Sequence, residues 1–364
     1  MRVLFITKYG MLAASSRTRV FQYLPFLEGE GFESRVLTVL PDRAIGGSQT
    51  LVTRNRWRKI LYYLWAAYRT AWCGWRAWAM AAAHDVLFVQ KVIFPAPVRW
   101  LMRWRRSAVV FDFDDAIFTT ELRDGNWLSR WKQRRNSAGL PAMLALADLA
   151  IVENEYTAGY ARQHCRRVAT ITGPIDTERF HVPKEAHCGG DQVVLGWIGS
   201  ATTIPYLDLL KPALVKLADR YPHLRLRVVG ADRVAIEGIE VEAAAWDMER
   251  EVEELQGFDV GLMPIPDDPW TRGKGGYKLL QYMATGLPVV TSPVGINQRL
   301  VAHGEVGFWA LDAVEWEEGL ARLIENPELR HRMGRRGRER VEAEYALDIS
   351  SVKLARLLRE VGGT

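Results

Sequence analysis

Short apolar runs alternate with longer stretches of helical periodicity along the chain, the signature of βαβ units wound around a parallel sheet. In the first half the runs Val3 to Thr7, Arg35 to Leu40, Val86 to Gln90, Val109 to Phe113, Leu149 to Val152 and Val168 to Ile171 predict strands. Helices are expected at Arg17 to Leu27, Trp57 to Met80, Pro97 to Arg105, Leu128 to Leu146 and Thr157 to Gln163. From Gly173 to Gln192 the periodicity stops and Gly and Pro gather among charged residues, which reads as a connection. A second series follows, with strands at Val193 to Ile198, Leu224 to Val229, Val260 to Pro264 and Pro288 to Ser292. Its helices fall near Tyr206 to Ala218, Met248 to Gln256, Tyr277 to Ala284 and Ala313 to Ile324, and Pro327 to Val361 is helical and highly charged. The pattern predicts an α/β chain of two doubly wound, Rossmann-like domains, residues 1–172 and 193–345, joined by a linker at 173–192. A terminal helix at 346–364 is free to return to the first domain. Ligands of such sheets bind beyond the carboxyl ends of the strands, so the expected site is a cleft faced by both domains.

Composition narrows the class. Of 364 residues, 48% are hydrophobic and 25% charged, ordinary globular proportions that exclude a disordered or fibrous chain. Cys73, Cys165 and Cys188 form no C-x-x-C pair, which argues against a disulfide framework or a zinc site and for a reducing cytoplasm. The N-terminus runs directly into a strand pattern with no signal-peptide cleavage site, and no stretch of 18 uncharged apolar residues occurs, so the expected location is cytoplasmic.

Net charge is only +5, but the bases are unevenly placed. Between residues 54 and 106, Arg54, Arg56, Arg58, Lys59, Arg69, Arg76, Lys91, Arg99, Arg103, Arg105 and Arg106 face the single acid Asp85, with seven tryptophans interleaved. Trp57, Leu61, Leu64, Tyr68, Trp72, Trp75 and Ala79 recur at helical spacing. Two readings stand: a stripe packed on its own sheet, and an interfacial helix that binds the anionic inner face of a membrane. Nucleic acid is disfavoured, because no binding module accompanies the patch.

The densest chemical signal runs from Asp267 to Pro293, D-D-P-W-T-R-G-K-G-G-Y-K-L-L-Q-Y-M-A-T-G-L-P-V-V-T-S-P, between a predicted strand and helix. Gly273, Gly275 and Gly276 let backbone approach a ligand, the helix start offers N–H groups to phosphate, and Arg272, Lys274 and Lys278 add charge. Gln281, about one turn on, reaches toward a sugar hydroxyl. G-W-I-G-S-A-T-T supplies a second loop, in which Gly199, Ser200 and Thr202 are candidate donors; neither a dinucleotide fingerprint nor a P-loop is present. In the first domain Gly10, Arg17 and Arg19 follow the first strand, with Ser16 as the expected helix cap. F-D-F-D-D-A ends the fourth strand, and alternation sends Asp112 and Asp114 to one face and Asp115 to the other.

Together, A-S-S-R-T-R-V-F-Q-Y-L-P, F-D-F-D-D-A-I-F, A-D-L-A-I-V-E-N-E-Y, G-W-I-G-S and F-D-V-G-L-M-P through G-L-P-V-V-T-S-P resemble the retaining GT-B glycosyltransferases of the family 4 type (glycosyl transferases group 1). The resemblance covers almost the whole chain, and Q-Y-M-A-T-G-L-P is its most specific part. It implies transfer of a hexosyl group from a nucleotide diphosphate sugar to an acceptor hydroxyl with retained configuration, the acceptor being a lipid-linked or cell-surface glycan, with no cofactor and no catalytic metal. Lys274, Lys278 and the amides from Gly275 to Tyr277 would stabilise the leaving diphosphate. Asp114, or Asp115 in its place, would stabilise the oxocarbenium-like centre. Gly199, Ser200, Thr202, Arg272 and Gln281 would complete the donor site, and Gly10, Arg17 and Arg19 the acceptor side. The chain departs from the family where two glutamates of an E-x7-E motif are expected, carrying Gly273 and Gln281 instead. Two other functions stay open: a sugar-nucleotide epimerase of the same architecture, sharing the donor site and with His303 as acid–base candidate, and a non-catalytic binding protein, suggested by the missing first glutamate.

Overall fold

The structure is a computed structural model that describes residues 1–42, 56–119, 137–183, 192–200, 202–231, 234–236 and 238–363. Arg54, Cys188, residues 184–191 of the predicted linker and the first half of the predicted helix at Leu128 to Leu146 lie outside these residues. Chain contacts divide the protein into two units: Met1–Pro174 with Gly273–Gly275 and Leu347–Thr364, and Ile175–Arg272 with Gly276–Ala346.

The first unit holds a six-stranded parallel sheet in the order β2-β1-β3-β4-β5-β6. Its strands are β1 (Arg2–Tyr9), β2 (Glu33–Leu40), β3 (Val86–Gln90), β4 (Ala108–Phe113), β5 (Leu149–Val152) and β6 (Val168–Thr170). Every residue of β3 and β5 is buried, as an apolar run covered by helices on both faces requires. Leu354, Ala355, Leu357 and Leu358 of the helix Leu347–Gly362 pack with Val3, Phe5, Phe88 and Ile151 in one core.

The second unit repeats the plan in the order β12-β11-β10-β7-β8-β9, again all parallel. Its strands are β7 (Val193–Ile198), β8 (Leu224–Val229), β9 (Glu240–Ala244), β10 (Val260–Met263), β11 (Val289–Thr291) and β12 (Gly307–Trp309). One core, around Trp197, Leu226 and Trp316, lies under the helices Lys211–Arg220 and Ala313–Glu325. Another, around Tyr282, Met283 and Val289, lies under Tyr277–Ala284 and Pro327–Glu344.

Several sequence expectations are corrected. The single helix predicted at Arg17 to Leu27 is three pieces, Ala14–Arg19, a 3-10 turn at Phe21–Tyr23, and Leu24–Gly29. Pro25 cannot donate within a continuing helix and instead opens the last piece. Ser16 is no cap: the helix begins at Ala14 behind Ala13, and the buried Ser16 Oγ accepts from Tyr9 N and donates to Gln90 Oε1. The terminal helical run breaks at Tyr345 and Ala346, where Ala346 bridges Ile175. The strands β9 and β12 were not expected, since Glu240–Ala244 is polar and mostly solvent-facing and Gly307–Trp309 is only three residues long.

The largest correction concerns the helix Arg56–Ala81. The stripe Trp57, Leu61, Leu64, Tyr68, Trp72, Trp75 and Ala79 does not pack on the sheet; all seven residues are exposed, Trp57 at 75% and Tyr68 at 63%. The sheet side is formed by Cys73, Gly74, Ala77 and Ala81. Arg69 fastens the helix by donating to the Val39 and Thr38 carbonyls. Small residues win that face because they bring the helix close: a Cβ on Gly74 would stand 2.7 Å from Val98 Cγ1.

Candidate functional site

In the second unit, strand order reverses between β7 and β10, and a reversal of this kind opens a crevice beyond the strands' carboxyl ends. The loops leaving those two strands are the two glycine-containing loops singled out in the sequence. The helix Tyr277–Ala284 ties them together, because the Tyr282 hydroxyl accepts from Ile198 N at 3.0 Å and reaches the Leu262 carbonyl at 3.3 Å. Gly261 makes that seat possible, since a Cβ there would lie 2.5 Å from the Tyr282 ring.

Lys278 stands over this crevice. Its Nζ is 4.2 Å from the centre of the Trp197 ring, and a Cβ on Gly199 would come within 2.5 Å of it. Gly276 caps the helix in the left-handed region at φ 69°, with no side-chain hydrogen bond closing the cap. First-turn amides, an ammonium group and a glycine floor therefore share one place, the composition of an anion site. Beside it Ser200 Oγ and Thr202 Oγ1 are 2.9 Å apart and part of an exposed turn in which Thr203 Oγ1 donates to the Ser200 carbonyl. Arg272 is half exposed and held in a two-pronged pair by Asp267.

Gln281 is 4% exposed, and its Nε2 donates to Glu251 Oε1 at 3.0 Å. That carboxylate also accepts from Trp246 Nε1 at 2.9 Å and pairs with Arg179 at 2.9 Å. Sequence reasoning missed Glu251 and Trp246. Their segment, W-D-M-E-R-E, is acidic and without motif, and only the fold brings it to Gln281. His303 accepts from Trp309 N and lies against the Phe308 and Trp309 rings, a local role that accounts for its position.

In the first unit the carboxyl edge gathers buried charge. Arg19, 2% exposed, makes a two-pronged pair with Asp112, donates to the Ile171 carbonyl and stands 3.5 Å from Glu153. Lys91, in the left-handed region at φ 57°, forms ion pairs with both Asp114 and Asp115 at 2.5 and 2.6 Å. The alternation expected for those two carboxylates does not hold, because β4 ends at Phe113 and the turned chain lets both reach one ammonium. Burial works against ionisation of Asp114, yet the Lys91 ammonium and a Ser15 hydrogen bond hold it down at about 2. Burial pushes Glu153 up to about 8, with Arg19 opposing and the neighbouring aspartates reinforcing.

Gly10 sits where a Cβ would meet the Asp42 carboxylate at 2.3 Å, and that carboxylate accepts from Met11 N and Leu12 N. Arg17 is 6% exposed and donates to the Met11 and Leu12 carbonyls. Gly273–Gly275 belong to this unit: Asn154 Nδ2 donates to the Lys274 carbonyl, and a Cβ on Gly275 would lie 1.7 Å from Glu153 Oε2. A Cβ on Gly273 would lie 2.3 Å from that of Ala116, so the absence of a side chain at 273 has a steric cause.

Residues 192–326 match the family profile described as "Glycosyl transferases group 1". The chain is 25% identical over 244 residues to a D-inositol 3-phosphate glycosyltransferase of Corynebacterium urealyticum, a match covering 59% of this chain and 55% of that relative's length. In fold it is similar to sucrose-phosphate synthase of Thermosynechococcus elongatus, with TM-score 0.71, 14% identity, and 99% and 98% of the two chains covered. It is similar also to Anabaena Alr3699/HepE in complex with UDP-glucose, with TM-score 0.68, 15% identity, and 99% and 100% covered. The glycosyl transferases group 1 profile thus matches residues 192–326, within a chain whose two parallel six-stranded sheets have the fold of these GT-B neighbours.

Proposed function

We propose that the protein is a retaining hexosyltransferase, moving a sugar from a nucleotide diphosphate sugar to the hydroxyl of a lipid-linked or cell-surface glycan. The observation that carries this reading is Lys278, poised over Trp197 and Gly199 at the uncapped start of Tyr277–Ala284. In this reading the diphosphate lies on the Gly275 to Tyr277 amides, with Lys278 and Lys274 neutralising the charge that builds on it as the glycosidic bond breaks. Gly199, Ser200 and Thr202 flank the phosphates, and Arg272 approaches the sugar. Gln281 reads the ribose with Glu251, whose buried carboxylate its amide holds in place. The fold neighbour that carries UDP-glucose supports a sugar nucleotide as donor.

In the first unit the cluster of Asp114, Asp115 and Lys91 serves the oxocarbenium-like centre, with Asp114 as the acting group and Asp115 as its substitute. Gly10 and Arg17 form the acceptor side. Arg19 serves there by fixing Asp112 and Glu153, since its own guanidinium is buried and engaged. No catalytic metal and no cofactor are assigned. The acceptor is met at the inner face of an anionic membrane, which the exposed Trp and Leu stripe of Arg56–Ala81 touches. That helix lies on the surface, since no described helix is long and apolar enough to cross a membrane.

The test is incubation of the full chain with a sugar nucleotide and a membrane-extracted acceptor, following nucleoside diphosphate release and the anomeric configuration of the product. Acceptor-dependent release with retained configuration is expected. Epimerised sugar nucleotide formed from donor alone would overturn the reading.

A further inference from the structure

At the opposite, amino edge of the first unit's sheet lies a cavity of about 720 Å³, within the usual range for a small-ligand pocket. It is bounded by the helix Ala96–Met102, residues 142–148 ahead of β5 and residues 164–167 ahead of β6. Five arginines line it, Arg99, Arg103, Arg105, Arg166 and Arg167, against one carboxylate, Asp148. Arg105 is the built element. Its side chain is 10% exposed, it pairs with Asp148 at 2.7 Å and donates to the Met102 and Leu146 carbonyls, and its Nε is buried with no partner among the described residues. Arg103 and Arg166 are exposed, while Arg167 is held by Glu360 at 3.0 Å. Nothing in sugar transfer uses this cluster, which lies at the end of the strands away from Asp112 and Asp114.

Its surroundings indicate the ligand. Trp100 and Trp104 stand beside the cavity, 58% and 74% exposed, with their rings edge to face at 6.4 Å. Trp72 and Trp75 are stacked at 5.3 Å on the neighbouring helix Arg56–Ala81, which meets Ala96–Met102 at the close approach of Gly74 to Val98. Right-handed crossovers in a sheet of this order put both helices and residues 137–144 on one face. An arginine cavity beside solvent-facing indoles matches the section of a lipid surface: phosphate in the polar layer, rings at the acyl boundary.

We propose that this cavity binds the phosphate headgroup of an anionic phospholipid and orients the first unit on the bilayer, while the tryptophans insert beside it. The proposal rests on the membrane-surface reading above and adds to it a specific headgroup site.

The test is co-sedimentation of the full chain with vesicles of phosphatidylcholine alone, or of phosphatidylcholine and phosphatidylglycerol in equal parts. Two double variants at exposed positions are compared, each checked for a wild-type melting curve: Arg103→Gln with Arg166→Gln, and Trp72→Ser with Trp75→Ser. Wild type is expected to pellet with the mixed vesicles and far less with phosphatidylcholine. The arginine variant should bind the mixed vesicles about thirtyfold more weakly, at roughly fivefold for each base near an anionic surface. The tryptophan variant should bind neither. Wild-type binding by the arginine variant, with loss only in the tryptophan variant, would overturn the headgroup site and leave the membrane surface standing. Undiminished pelleting of the tryptophan variant, or no pelleting of wild type, would remove the surface and the site together. Thermal stabilisation by inorganic phosphate that the arginine variant loses, without a change in vesicle binding, would assign the cavity to a free anion and overturn the lipid proposal.

Discussion

At the scale of single residues the proposed chemistry depends on charges whose surroundings differ. Lys278 is packed on Trp197 yet stands at a helix start, so its loss should affect ligand more than fold. Lys278→Ala should weaken nucleoside diphosphate binding roughly tenfold to hundredfold, the worth of one hydrogen bond to a charged group, with the melting temperature of the ligand-free protein little changed. Calorimetric titration measures it, and unchanged affinity removes Lys278 from the site. Asp114→Asn should lower turnover by about 10²-fold while nucleoside diphosphate affinity stays the same, since its charge is assigned to the transition state alone. Glu153 offers a pH test. Its carboxyl titrates at about 8 in the folded protein against an ordinary value of 4.5, so unfolding releases a proton in that window and stability falls as pH rises through it. Glu153→Gln should therefore gain melting temperature over wild type progressively between pH 5 and 8; a gap independent of pH would show that Glu153 is ionised throughout.

At the scale of elements, close approach decides more than propensity does. Gly334 in Pro327–Glu344 lies where a Cβ would stand 1.8 Å from the Gly286 carbonyl, just past the end of Tyr277–Ala284. Gly334→Ala should destabilise by about 1–3 kcal/mol through overpacking, read from denaturant unfolding, and loosen the helix that carries Lys278. Buried parallel strands were legible because an apolar run bounded by turns has few other uses: β3, β5, β7 and β8 begin and end where the sequence placed them. The edge strands β9 and β12 were not, because an edge pairs on one side only and carries little apolar signature. The stripe of Arg56–Ala81 shows the limit of periodicity, which finds an apolar face but cannot say whether sheet or solvent meets it. In the donor loops, glycines and lysines could be picked out from composition and spacing. Glu251 could not, since its link to Gln281 spans 30 residues and depends on how β9 and β10 sit in the sheet.

At the scale of the whole molecule, each unit winds its own sheet and the chain returns from Ala346 to finish the first unit with Leu347–Gly362. Each sheet ends in a loop-rich carboxyl edge with its own electrostatics: buried acid–base pairs in the first unit, a glycine and lysine cradle in the second. The role proposed for the second is to hold a sugar nucleotide by its diphosphate. The most direct test is the thermal shift of the full chain and of Lys278→Ala against UDP-, GDP-, ADP- and TDP-sugars, since a ligand stabilises the native state in proportion to the logarithm of its saturation. At least one of these should raise the melting temperature of wild type and raise that of the variant much less. No shift with any of them, or an equal shift in both proteins, would contradict the account.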